Sequence, residues 1–256
     1  MRTSILWLKA TFVVLCCSAV LGAQDLPAGT ALPVMMSTRL NAKGAKPGQK
    51  IEGKLMQEVL QPSSGEMIKS GSRVTGHVIS VDKPGASGSR IVLQFDELQD
   101  EHGTIPLNVR VRALAGSASV FQAGVPVDNN TDAEPPTQWA TKQVGGEIVF
   151  RGRGYVASDQ GKVGTWSGDG VWGKLAPGGD CPEADDNGTR QALWIFSTTA
   201  CGVYGFRDLR LTQNGGSAPL GQITLESNQD IDIRGGSGWL LLVNSSPAKP
   251  AGKPMP

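Results

Sequence analysis

Three stretches of the chain share one frame: an apolar residue, two variable ones, a Gly, a Thr or Ser, one variable residue, then apolar residues at alternate positions. Leu26 to Met36 reads LPAGTALPVMM, Ile68 to Val78 reads IKSGSRVTGHV, and Ile233 to Val243 reads IRGGSGWLLLV. The pairs Gly29-Thr30, Gly71-Ser72 and Gly236-Ser237 fall at the same place in each copy. A Gly accepts positive φ without the steric penalty of a Cβ, and a hydroxyl just after it can bond back to the turn backbone. Alternating apolar residues mark a half-buried strand. The frame therefore reads as a turn opening into a strand, with Leu26, Ile68 or Ile233 pointing inward to anchor it.

The rest of the chain is consistent with that reading. With 34 Gly and 16 Pro and no long segment of capped helical periodicity, the class is mainly β, an antiparallel barrel or sandwich with a β-rich insertion. Residues 26–113 form the first part of the barrel. In TALPVMM, Pro33 predicts an edge strand or a strand start. In KIEGKLMQEVL, residues Ile51, Leu55, Val59 and Leu60 fit a helix, but Gly53 favours a strand. RVTGHVISV, RIVLQFDEL and IPLNVRVRAL alternate cleanly. They predict a meander with Ile91, Leu93, Phe95, Ile105, Leu107, Val109 and Val111 inside and one wet face. Arg110 and Arg112, like Arg151 and Arg153, sit two apart and read as solvated pairs.

From Ala115 the composition becomes small, polar and Pro-bearing, so 114–138 reads as a linker or exposed excursion. Residues 139–215 are aromatic-rich and read as a β insertion, 216–244 as the return strands of the barrel, and 245–256 as a disordered Pro/Lys-rich tail. Within the insertion, Trp166, Trp172 and Trp194 are open to two readings. Strand aromatics in Gly-punctuated runs are usually core, and Leu193 and Ile195 flank Trp194. The alternative is an aromatic platform for carbohydrate. Asn129-Asn130-Thr131 and Asn187-Gly188-Thr189 match the glycosylation sequon and read as ordinary turn residues.

Met1 to Ala23 carries Arg2 and Lys9, an apolar run from Ala10 to Leu21, and small residues at its end. That is the pattern of a secretory signal peptide, too short for a comfortable membrane span of about 20 residues. It predicts an exported chain, periplasmic or outer-membrane associated, with no transmembrane span once the signal is removed; retention as an anchor is the alternative. Of 24 basic residues, Arg2 and Lys9 lie in this leader, leaving 22 against 23 acidic ones, a net charge of −1. This balance lacks the basic excess of a general nucleic-acid binder. Cys16 and Cys17 also lie in the leader. Cys181 and Cys201 remain, and two thiols in an oxidising compartment pair. Closing a loop of that length stabilises by about 3 kcal/mol.

The order LPAGTALPVMMSTRLNAKGAKPGQKIEGKLMQEVL, MIKSGSRVTGHV and RIVLQFDEL resembles the β-barrel domain of the TrbI family of conjugation and type IV secretion scaffolds. The counterparts of the family's motifs are Pro27 to Thr30, Gly48, Gly71 to Arg73 with Gly76, Arg90 to Phe95, and a closing strand over 231–243. The resemblance covers about 26–113 and 219–244. It implies a barrel in an envelope setting and, as partners, envelope proteins or a second copy of the chain. The chain departs from the family in its leader, which directly precedes the barrel where the family has an inner-membrane helix and stalk. It departs again in the insertion, which reads as β where the family has a helical pair.

The sequence carries no recognisable catalytic pattern. No GxSxG elbow occurs, His77 falls on a strand and His102 in the DEHGT turn, and no His or Cys stand at metal-ligand spacing. Asp180, Asp185, Asp186 and Asn187 form an acidic loop without EF-hand order, read as a solvated loop rather than a calcium site. The sequence thus predicts a non-enzymatic envelope protein without cofactor, used in scaffolding or assembly. The alternative is an exported carbohydrate-binding module.

Overall fold

Twenty strands, one short α-helix and a single 3-10 turn over Arg151–Arg153 account for the regular structure of the described residues. The structure, a computed structural model, describes residues 26–61, 65–127, 140–168, 170–181, 188–213 and 221–245. The predicted signal peptide, the two Asn residues of the first sequon and most of the tail lie outside them. In chain order the elements are β1 (Ala31–Met36), β2 (Leu40–Asn41), β3 (Lys50–Leu55), β4 (Val59–Gln61), β5 (Glu66–Ile68), β6 (Arg73–Gly85), β7 (Gly88–Gln99), β8 (Thr104–Pro106), β9 (Val109–Ala115) and α1 (Ser117–Gln122). There follow β10 (Ala140–Lys142), β11 (Ile148–Phe150), β12 (Tyr155–Ser158), β13 (Gly161–Ser167), β14 (Gly170–Gly173) and β15 (Gln191–Trp194). The last are β16 (Gly202–Tyr204), β17 (Arg210–Gln213), β18 (Gln222–Ser227), β19 (Asp232–Ile233) and β20 (Gly238–Val243).

The large sheet runs β16-β9-β20-β1-β3-β6-β7-β18-β17, with β8 added beside β7. It is antiparallel except where β16 meets β9. Its two end strands, β16 and β17, come together without pairing, so the sheet curls into a nearly closed barrel. The second sheet, β10 to β15, is an antiparallel half-barrel meander. The chain rejoins the barrel at β16, earlier than the expected end of the insertion at 215, because β16 and β17 pair with β9 and β18. The segment after Ala115, read as a linker, begins with the six-residue helix α1.

Alternation fills the barrel. Leu32, Val34, Ile51, Val74, Val78, Ile91, Leu93, Phe95, Val109 and Val111 are fully buried in one cluster. Trp239 is fully buried there, its ring edge-to-face on Phe95 with centroids 5.7 Å apart. Its indole N–H donates to the Ser237 hydroxyl at 3.0 Å, so no polar group is stranded. Burying such a ring contributes about 1.5–3 kcal/mol, with about 0.5–1.5 kcal/mol more from the aromatic pair.

The strand-opening frame has a common geometry. Gly29, Gly71 and Gly236 have φ of 78°, 92° and 83°. In each turn the residue after Gly donates its N–H to the carbonyl three residues back: Thr30 to Pro27, Ser72 to Lys69, Ser237 to Arg234. Each Gly N–H then caps the last residue of the strand that pairs with the one being opened: Gly29 to Val243, Gly71 to Leu55, Gly236 to Met36. That last residue returns the bond to the carbonyl after the Gly, at 3.0, 2.9 and 2.9 Å respectively.

A fourth turn follows the same rule. Gly48, with φ 78°, caps Val78, Val78 donates to Gln49, and Gln49 donates to Lys46. The four turns form two reciprocal pairs. Those opening β1 and β20 cap each other's strand ends; of those opening β3 and β6, Gly71 caps the end of β3, and Gly48 caps Val78, where the β3 ladder stops part-way along the longer β6. The anchors Leu26, Ala45, Ile68 and Ile233 are all buried, as are Leu32, Ile51, Val74 and Trp239, three residues after each Gly.

Main-chain groups hold these turns, and the hydroxyls do other work. Ser237 accepts the Trp239 indole, and the Thr30 hydroxyl is buried with no partner. One further expectation is corrected. Pro33 lies in β1, which is flanked on both sides by β20 and β3 rather than at an edge. It is tolerated because its carbonyl side, where Met56 donates, faces the end of β3, so its missing N–H falls where that ladder stops. Gly76 marks a bulge in the β6–β7 ladder, where a Cβ would collide with the Gln94 carbonyl.

Candidate functional site

The half-barrel places its aromatic residues by register. Val149, Val156, Val171 and Leu193 form its inner face with the half-buried rings of Trp166 and Trp194. This face lies on the outer wall of the barrel, where Ala31, Ala113 and Ala115 are small enough to admit it beside Leu240 and Leu242. The two sheets exchange glutamines. Gln57 of the barrel accepts the Trp194 N–H at 2.7 Å, and Gln191 of the half-barrel accepts the Ala31 N–H at 3.0 Å. Trp194 has φ 51°, the single non-Gly positive φ among the described residues. That conformation costs about 1–2 kcal/mol and turns the chain out of β15. The indole comes to lie where a Cβ on Gly238 would stand 3.2 Å from it.

The outer face carries a cross-strand row. Phe150 pairs with Tyr155, Tyr155 with Thr165, Thr165 with Trp172, and Trp172 with Ala192. Directly paired residues share one face of a sheet, so this row is continuous across β11 to β15. Trp172 therefore stands on the opposite face from Trp166 and Trp194, and the three do not form one platform. Phe150 and Tyr155 are stacked at 4.7 Å with 22° between planes. Lys162 brings its ammonium 6.0 Å from the Tyr155 centroid, and Arg190 donates to the Thr165 hydroxyl. Phe150, Tyr155, Thr165 and Trp172 are half-buried, Trp172 packing against the barrel's core cluster, which takes in the buried Ala192 at the end of the row; Lys162 and Arg190 are exposed. Arg151 lies over Trp166, 5.4 Å from its centroid, and covers that ring instead of standing solvated. Composition pointed to the aromatic-rich region; only strand register could have picked out Phe150 and Tyr155 as companions of Trp172.

Cys181 and Cys201 are disulfide-bonded with Cα atoms 5.9 Å apart. The bridge ties the connection between β14 and β15 to the residue just before β16. Arg112 reinforces the same place. It is 2 % exposed and donates to the carbonyls of Ala176 and Ala200. It lies on the outside of the barrel as alternation predicts, yet the chain crossing above it removes it from solvent, against the expected solvated pair. Glu147 is buried nearby, accepting from the N–H and hydroxyl of Thr198. Burial pushes its carboxyl up from the usual range, opposed by the two Thr198 bonds.

On the far side of the barrel His77 meets Asp96 at 2.8 Å in a groove of about 470 Å³ that includes Glu52, Arg73 and Glu97. The pair is half-exposed, and a Thr75–Glu97 contact at 3.4 Å lies beside it. Among the described residues no three His, Cys, Asp or Glu side chains gather as a metal site. Asp185, Asp186 and Asn187 of the acidic loop lie outside the described residues. No helix of the described residues is long and apolar enough to cross a membrane. No family model matches the chain, and no curated protein matches it.

Proposed function

We propose that this chain is an exported, non-enzymatic protein of the cell envelope whose TrbI-like barrel serves in scaffolding or assembly. The observation that carries the reading is the apolar surface at α1. Phe121 is 75 % exposed and Val125 42 %. Val125 lines an open cleft of about 540 Å³ together with Ala123, Val127, Val144, Tyr204 and the polar Gln122 and Lys142, and Phe121 stands four residues before it. Apolar surface gathered at one place marks protein contact more than chance exposure does. The barrel interior is filled with side chains, so the molecule offers its outside to partners. A photo-reactive residue in place of Phe121, expressed in the native host, should cross-link to envelope proteins or to a second copy. Absence of any protein cross-link from that position would sink the reading.

A second reading, an exported glycan-binding module, draws on the outer row Phe150–Tyr155–Thr165–Trp172 with its flanking cations.

A further inference from the structure

We propose that the slot between Tyr155 and Trp172, floored by Thr165, is a subsite for an acidic sugar of a polysaccharide. A pyranose face would lie on an aromatic ring, and its carboxylate would sit between Lys162 and Arg190. The inference rests on the glycan-binding reading and names the class of glycan.

The slot follows from register. Tyr155, Thr165 and Trp172 are direct neighbours on β12, β13 and β14. Adjacent strands lie about 4.8 Å apart, so the two large side chains rise about 9–10 Å from each other. Thr165 between them is short, which leaves a gap one ring thick. Phe150 stacks on Tyr155 from β11, and Lys162, on β13, approaches the ring from the slot side. Arg190 is brought to the floor by its bond to Thr165.

The chemistry of the lining selects the occupant. Flat apolar faces, a hydroxyl on the floor and two cations suit a flat, hydroxyl-rich unit with a single negative charge. Asp159 is the one acid among the described residues of β12 to β14 and their turns, and it sits in the β12–β13 turn. A single-stranded nucleic acid also stacks on rings, but it needs a cationic groove that follows its backbone. The neighbouring row here is Lys142, Ile148, Ala157 and Lys162, apolar between its ends.

The test is a fluorescence and calorimetric titration of the full chain with oligogalacturonate, the same oligomer reduced to neutral galactose units, and oligothymidylate. Oligogalacturonate should bind and perturb tryptophan emission. The exposed double variant Lys162→Gln/Arg190→Gln should weaken it at least tenfold while melting like the wild type. Tyr155→Leu should weaken both sugars. Equal binding of the neutral oligomer, or an unchanged affinity in the double variant, would overturn the acidic-sugar subsite while leaving a glycan module standing. Absence of binding by either sugar would overturn both. Tighter binding of oligothymidylate would replace the sugar with a nucleic acid.

Discussion

Replacing Gly71 by Val isolates what the strand-opening turn contributes. A Cβ at Gly71 would meet nothing within 4 Å, so the substitution brings no steric clash with the surroundings. Its cost lies in the backbone, because φ is 92° and a side chain held there costs about 1–3 kcal/mol. If the turn relaxes instead, it gives up the Gly71 bond to Leu55 at 2.7 Å and the returned bond from Leu55 to Ser72 at 2.9 Å. Each contributes about 1 kcal/mol net. A smaller gain of about 0.4–1 kcal/mol comes from a stiffer unfolded chain. The net loss should be about 1–2 kcal/mol, which for a chain of this size lowers Tm by roughly 2–8 °C. Gly71→Asn should fall less, since Asn tolerates positive φ. Ser72→Ala should stay within about 0.5 kcal/mol, because the turn is held by main-chain groups. Circular-dichroism melts of the three variants decide the matter. A Gly71→Val melt matching the wild type, or a Ser72→Ala loss as large, would refute the reasoning.

Two further outcomes are expected. Thiol counting on the denatured, unreduced protein should find Cys181 and Cys201 unreactive. Cys181→Ser/Cys201→Ser should cost about 3 kcal/mol by urea unfolding, and two reactive thiols would contradict the bridge. Glu147 is held above the ordinary carboxyl value by burial, so the folded state keeps its proton longer than the unfolded state does. Stability from this group is present at low pH and is lost as pH rises from the ordinary carboxyl value through the raised one. Glu147→Gln should therefore gain on the wild type in urea midpoints as pH rises above the ordinary carboxyl value, and a pH-independent difference would count against this.

Much of the barrel was legible because its strands alternate and its turns need Gly. The inside set from Ile91 to Val111 is buried as the period of two requires. The turn at Gly48 escaped because the frame was defined with a hydroxyl, and Gln49 stands where the others carry Thr or Ser. The structure shows that the hydroxyl was the dispensable part. An apolar residue three before a Gly and another three after would have found all four. The burial of Arg112 was not legible, since the segments that cover it arrive from Ala176 and Ala200, far along the chain. Nor was the separation of Trp172 from Trp166 and Trp194, which is a matter of pairing across β13, β14 and β15.

The reciprocal caps joining β1 to β20 set a condition on when the molecule can form. The first barrel strand finds one of its two neighbours only among the last described residues, and each strand's end is finished by the other's turn. Contacts of such sequence separation are made late and slowly. A growing chain can assemble β3, β6 and β7 early, but β1 keeps an open side until Val243 has been synthesised. A polypeptide wired in this way leaves the β1 side of the barrel open, and its strand end uncapped, until residues 238–243 are present to close it.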